Sequence, residues 1–314
     1  MRKILLAALA FLSIGSAAHA GDINLVKKAG VCPNASPASM RPDEVALFRD
    51  LQIRGASSMQ GAKRIYYGKG LDHYGDLRLP AGEGPFPLAI VVHGGSWSAV
   101  VNSDYTAPIA QMLAAAGIAS WNVEYSRLGS GGEWPESFRS VAAAADYVNV
   151  LAKTYPIDPG RVISIGHSSG GHYALWLAGR RNLPPASPLR TASPLTLKGV
   201  ISLDGTPDLR AFAALARGRA VIPQLLGADK EAQWEQRYAE ASPVELLPLK
   251  TPQYFLTQES DRLASLLGYI DQARKAGDDV AFDIACPPSH FVSADISKPV
   301  IADAILKAAQ GFVN

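Results

Sequence analysis

The chain has 314 residues, 48% of them hydrophobic, and a net charge of +2 with both signs scattered. That length suits one large domain with a substantial core. The even charge offers no basic stripe for nucleic acid or an anionic lipid surface, so partners of that kind are not expected.

The chain opens on a basic Met1-Arg-Lys3. An apolar run from Ile4 to Ile14 follows, too short to span a bilayer, and then small residues in Ser16-Ala-Ala-His-Ala20. This is the pattern of a secretory signal peptide, residues 1–20, cleaved after Ala20. The first cysteine, Cys32, is too far from that site for a lipid anchor, and no later stretch approaches an uncharged membrane span. The mature protein is therefore expected to be soluble and secreted or periplasmic. In such an oxidising compartment Cys32 and Cys286, the only cysteines, can pair and tie the N-terminal arm to the loop of His290; two separate buried thiols are the alternative.

Residues 21–60 read as an N-terminal arm with a short helix from Pro42 to Asp50, and residues 61–314 as the main domain. Lys63–Tyr67 and Asp76–Leu79 resemble antiparallel edge strands. Apolar runs at 87–92, 117–125, 161–166, 198–203, 252–256 and 279–284 then alternate with helical patterns at 106–116, 135–154, 173–180, 261–276 and 298–312. Near-continuous apolar strands separated by helix-sized intervals predict an α/β fold, a mainly parallel central sheet with helices on both faces. The proline-rich stretch 182–197 reads as a surface loop, and residues 207–241 as a small cap insertion.

The strand at 161–166 runs into Gly166-His167-Ser168-Ser169-Gly170, a Gly-x-Ser-x-Gly pattern followed by a helix. A sharp strand-to-helix turn of this kind exposes a serine hydroxyl as a nucleophile. A serine needs a base and a group that orients that base. Of six histidines, only His290 lies well downstream of the turn, on a loop after a strand. The acid is expected at Asp261, after the preceding strand, with Glu259 two residues away and Asp204 one strand earlier as alternatives. The strand at 87–92 ends in His93-Gly94-Gly95-Ser96-Trp97, where the N–H groups of Gly95 and Ser96, with that of Ser169, are placed to hold an oxyanion. His167 and His172 have no third ligand nearby, so no metal site is expected.

Together these motifs resemble the α/β-hydrolase superfamily, and within it an esterase branch with a His-Gly-Gly-x-Trp oxyanion motif that includes formamidase-like and feruloyl- or acetyl-esterase-like members. The resemblance runs from about Tyr66 to the C-terminus, with Leu77-Arg-Leu-Pro80 and Ala241-Ser-Pro243 as further points of similarity. It implies a hydrolase without cofactors. Glu124-Tyr-Ser-Arg-Leu128 is followed here by Gly129-Ser-Gly-Gly-Glu-Trp134, an extra glycine-rich loop expected near the pocket. Trp97, Tyr105, Trp134 and Phe291 are expected to line that pocket and grip an aryl, sugar or short acyl group. The functional expectation is an exported serine hydrolase that cleaves esters of small acyl or aryl acids, including esters on carbohydrates. An amidase, formamidase or peptidase with the same triad, and a binding protein on a hydrolase scaffold, are the competing readings.

Overall fold

A computed structural model describes residues 43–227, 231–258, 260–286 and 288–314. Among the described residues one sheet of eight strands runs in the order β1-β2-β4-β3-β5-β6-β7-β8. β1 (Lys63–Tyr66) and β2 (Tyr74–Arg78) form the antiparallel edge. β3 (Phe86–Val92), β4 (Ala119–Val123), β5 (Ile157–His167), β6 (Gly199–Leu203), β7 (Gln253–Thr257) and β8 (Val280–Ile284) pair in parallel.

The central strands are buried on both faces, which is why they read as unbroken apolar runs. In β3 the alternation is visible residue by residue. Leu88, Ile90 and Val92 point into one core, with Phe138, Leu175 and Ile270. Ala89 and Val91 point into the other, with Leu51, Leu113 and Ile305. The first core is covered by α3 (Glu136–Asp146), α5 (Ser169–Gly179) and α9 (Leu263–Lys275), with the short α4 (Val148–Leu151) beside them. The second is covered by α1 (Glu44–Ser58), α2 (Ala107–Ala115) and α10 (Pro299–Val313).

The N-terminal helix is longer than its sequence pattern suggested, reaching Ser58. Asp43 caps it by accepting hydrogen bonds from the N–H groups of Val45 and Ala46. Between β6 and β7 the chain forms α6 (Leu209–Ala214), α7 (Ala216–Leu226) and α8 (Glu231–Ala241). No helix of the described residues is long and apolar enough to cross a membrane. Parallel strands all end on one edge, and the turns after β3, β5, β6, β7 and β8 meet there.

Candidate active site

Ser168 sits between β5 and α5 with φ 57° and ψ −122°, a strained conformation that lifts its hydroxyl above the sheet edge. The flanking glycines are required by close approach. A Cβ on Gly166 would stand 2.0 Å from the Gly170 carbonyl oxygen, and one on Gly170 would stand 2.0 Å from that of Val92. The Ser168 N–H donates to the Leu203 carbonyl at 2.9 Å, fastening the turn to the end of β6.

The structure brings Ser168 and His290 together as expected: His290 Nε2 lies 2.9 Å from Ser168 Oγ. The carboxylate on the other ring nitrogen is not that of Asp261. It is Asp204, the residue after β6, with Oδ2 2.5 Å from His290 Nδ1. The expectation for the acid is corrected accordingly. Asp261 is exposed and makes no hydrogen bond to the histidine, because the chain after β7 turns so that the next residue, Arg262, faces the site instead. Glu259 lies outside the described residues. With Asp204 accepting from Nδ1–H, Nε2 is left to accept the serine proton.

Asp204 is buried and fully engaged. Its carboxylate accepts from Thr257 Oγ1 and Gln258 Nε2, each at 3.0 Å, and from Arg262 Nη2 at 2.5 Å. Burial alone would raise its pKa. The Arg262 charge and the hydrogen bonds from His290 and Gln258 outweigh that, holding the carboxyl well below the ordinary range. Arg262 Nη2 is also 2.8 Å from His290 Nδ1, and three N–H groups, from His290, Arg262 and Gln258, converge on one carboxylate oxygen, Oδ2. This arginine went unrecognised in the sequence, where it follows the expected acid directly.

A second layer supports the turn. The Gly94 N–H donates to the Tyr105 hydroxyl at 2.5 Å, Tyr105 donates to His167 Nδ1 at 2.9 Å, and His167 Nε2–H donates to the His290 carbonyl at 2.9 Å. This relay requires a neutral His167. Burial, aided by the neighbouring His290, depresses its pKa to about 3. His93 donates from Nδ1 to the Gly94 carbonyl and pairs through Nε2 with buried Glu124 at 2.8 Å.

Residues 95–97 adopt an unusual run of positive φ, 116° at Gly95, 54° at Ser96 and 59° at Trp97. The Trp97 N–H donates to Ser169 Oγ at 3.3 Å. The N–H groups of Gly95, Ser96 and Ser169 have no protein acceptor among the described residues, as donors reserved for a ligand would. Ser96 and Ser169 line the cavity above Ser168; Gly95 does not.

That cavity holds about 450 Å³. Trp97, Phe212, Leu215 and Phe291 give it apolar wall, while Ser96, Thr206, Gln258, Ser260, Glu44, Arg217, Asp261 and Arg262 give it polar wall. Of the four aromatics expected there, Trp97 and Phe291 line it. Tyr105 is beneath the site in the Gly94–His167 relay, and Trp134 packs edge-on against Phe138, away from the cavity. The glycine-rich segment 129–134 contributes no lining residue. It folds back on itself, with the N–H groups of Ser130 and Gly132 donating to the Arg127 carbonyl. Phe212, Leu215 and Arg217, from the helical insertion, were not anticipated individually; only a long-range turn of the chain brings them over the serine.

Cys286, four residues before His290, is disulfide-bonded. Cys32, the chain's one other cysteine, lies outside the described residues. No group of three or more metal-ligating side chains occurs among the described residues.

Sheet order, strand-to-helix serine turn and converging side chains define an α/β hydrolase. The BD-FAE family model matches residues 76–266, and the chain belongs to that family. A search of the curated proteins finds no match. Among solved structures, a truncated carbohydrate esterase from gut microbiota is similar at 18% identity, TM-score 0.67, covering 80% of this chain and 95% of that one. The esterase LipW from Mycobacterium marinum is similar at 14% identity, TM-score 0.68, covering 86% and 88%. A bacterial heroin esterase is similar at 19% identity, TM-score 0.67, covering 94% and 96%.

Proposed function

We propose that this protein is an exported serine carboxylesterase acting on esters of small acyl or aryl acids, including those attached to carbohydrate hydroxyls. The observation that carries the reading is the hydrogen-bonded chain Ser168–His290–Asp204 opening into a cavity of about 450 Å³. Ser168 Oγ attacks the ester carbonyl while His290 Nε2 takes its proton. Negative charge that develops on the carbonyl oxygen is met by the N–H groups of Ser96 and Ser169, with Gly95 behind them; removing one such donor typically raises the barrier by about 3 kcal/mol. The C–O bond then breaks, His290 returns the proton to the departing alcohol, and an acyl group remains on Ser168. Water attacks that ester with His290 again as base; the acyl C–O bond to Ser168 then breaks, His290 returns the proton to Ser168 Oγ, and the acid is released.

The mixed lining supports the substrate class. Trp97, Phe212 and Phe291 suit a short acyl chain or an aromatic ring, and the hydroxyl and charged groups opposite suit a polar alcohol. The similar carbohydrate esterase and heroin esterase share the fold. Export is supported by the apolar run and small-residue site at residues 1–20.

Intact-mass analysis after fluorophosphonate treatment, with Ser168→Ala alongside, tests the nucleophile without presuming a substrate. One adduct, lost in the variant, is expected; an adduct that persists in Ser168→Ala overturns the assignment. Matched ester and anilide substrates then separate esterase from amidase, with faster ester turnover expected.

A further inference from the structure

The N-terminal helix and the histidine loop both lie outside the residues matched by the family model, 76–266, yet they are bound to one another at three points. Glu44, in the first turn of α1, accepts a hydrogen bond from the backbone N–H of His290 through Oε1 at 2.9 Å. Phe48, one turn on, stacks on Phe291 with ring centroids 4.8 Å apart. Arg54 reaches Asp295, five residues past the histidine, at 2.8 Å. Glu44 and Phe48, four residues apart, share one flank of the helix, and the long Arg54 side chain reaches the same loop from about 120° round the helix from Phe48.

The helix cannot easily move away from this position. A Cβ on Gly55 would stand 2.2 Å from the Asp104 carbonyl oxygen, so α1 is pressed backbone to backbone against the turn that carries Tyr105. The other Glu44 carboxylate oxygen is buried with no hydrogen-bond partner among the described residues.

We propose that α1 is a working part of the active site, and that Glu44 is a positioning residue that acts on catalysis through the His290 peptide. The need for one follows from how the three groups are mounted. Ser168 and Asp204 follow His167 and Leu203, which face each other across the β5–β6 ladder. His290 follows no such pairing and stands on an irregular loop after β8. Its Nε2 must stay within hydrogen-bond reach of Ser168, and small displacements of a base are expensive in rate. Glu44 holds the peptide on one side while the His167 ring holds the His290 carbonyl on the other.

This inference rests on the esterase reading, and the test keeps the two apart. Steady-state hydrolysis of p-nitrophenyl acetate is measured for wild type, Ser168→Ala, Glu44→Ala, Glu44→Gln and Arg54→Gln, with thermal melts of each. Loss of turnover in Ser168→Ala upholds the parent reading, and full turnover there overturns it whatever Glu44 does. For Glu44→Ala the expectation is a roughly tenfold lower kcat with KM unchanged. Glu44→Gln keeps an acceptor oxygen and is expected to restore kcat to within about threefold of wild type. Wild-type kcat in Glu44→Ala, a change confined to KM, or failure of glutamine to restore kcat each overturns the proposal. Should Glu44→Ala not fold, Arg54→Gln decides: it touches neither cavity nor triad, a kcat reduced several-fold at constant KM supports the helix as a positioning part, and an unchanged kcat overturns it.

Discussion

Asp204 and Asp261 differ in what surrounds them more than in where they fall along the chain. Both follow a strand at the functional edge, but only Asp204 is buried with Thr257, Gln258, Arg262 and His290 converging on it. Asp204→Asn is expected to lower kcat by about four orders of magnitude with the fold retained, because the amide can no longer fix the histidine tautomer. Asp261→Asn is expected to change kcat by less than threefold, and comparing the two kcat values checks the assignment. Arg262 makes a different contribution. Its removal leaves a buried carboxylate with one cation fewer, a loss of about 3 kcal/mol by comparison with other broken buried pairs. Urea unfolding of Arg262→Ala at neutral pH measures that, and wild-type stability in the variant would show the ion pair to be idle. Sequence pattern could not separate the two aspartates, since Asp204 closes one apolar run and Asp261 follows the next strand within four residues; the choice depends on how the chain turns after β7, which no periodicity encodes.

The elements themselves were far more legible. β3, β5 and β6 are buried on both faces of a parallel sheet, so their apolar runs could be read directly, and Gly166 and Gly170 marked the turn between β5 and α5. Gly166→Ala or Gly170→Ala forces a Cβ into a backbone carbonyl, and either is expected to destabilise the protein by more than about 3 kcal/mol, read from urea midpoints. What the elements concealed was how they meet. Tyr105 was expected at a pocket wall because it lies on a strand-end segment, but its ring is buried and its hydroxyl is spent on Gly94 and His167. Trp134 was expected there on the same grounds, yet its loop turns toward Phe138. The wall that faces Ser168 is made partly by Phe212 and Leu215, whose approach depends on how α6 and α7 fold over the sheet edge.

At the scale of the whole molecule, two histidines buried in neutral form link stability to pH. Burial lowers His167 to about 3, and lowers His172, which donates to the Ala241 carbonyl, to about 4. Both would titrate near 6.5 in the unfolded chain. Between those values the unfolded state binds more protons than the folded one, so stability is intact above about pH 6.5 and falls as pH drops. The slope approaches about 2.7 kcal/mol per pH unit where both groups contribute, since each proton accounts for about 1.36. Unfolding free energies between pH 7 and 4.5 check this; a flat profile would mean the rings are not held neutral. The Cys286 disulfide adds a second dependence, and reduction under native buffer is expected to lower the unfolding free energy by about 2–5 kcal/mol.

The pairing of His167 with Leu203 separates the fate of the reaction from the fate of the fold. Nucleophile and acid follow the two residues of one rung between neighbouring strands and persist as long as the sheet does, whereas the base depends on contacts from a loop and a peripheral helix. On heating, turnover is therefore expected to vanish at a lower temperature than secondary structure melts, and to return on cooling while the sheet is intact. The protein would then have an operating ceiling set by its least anchored part, which a melting curve alone would overstate.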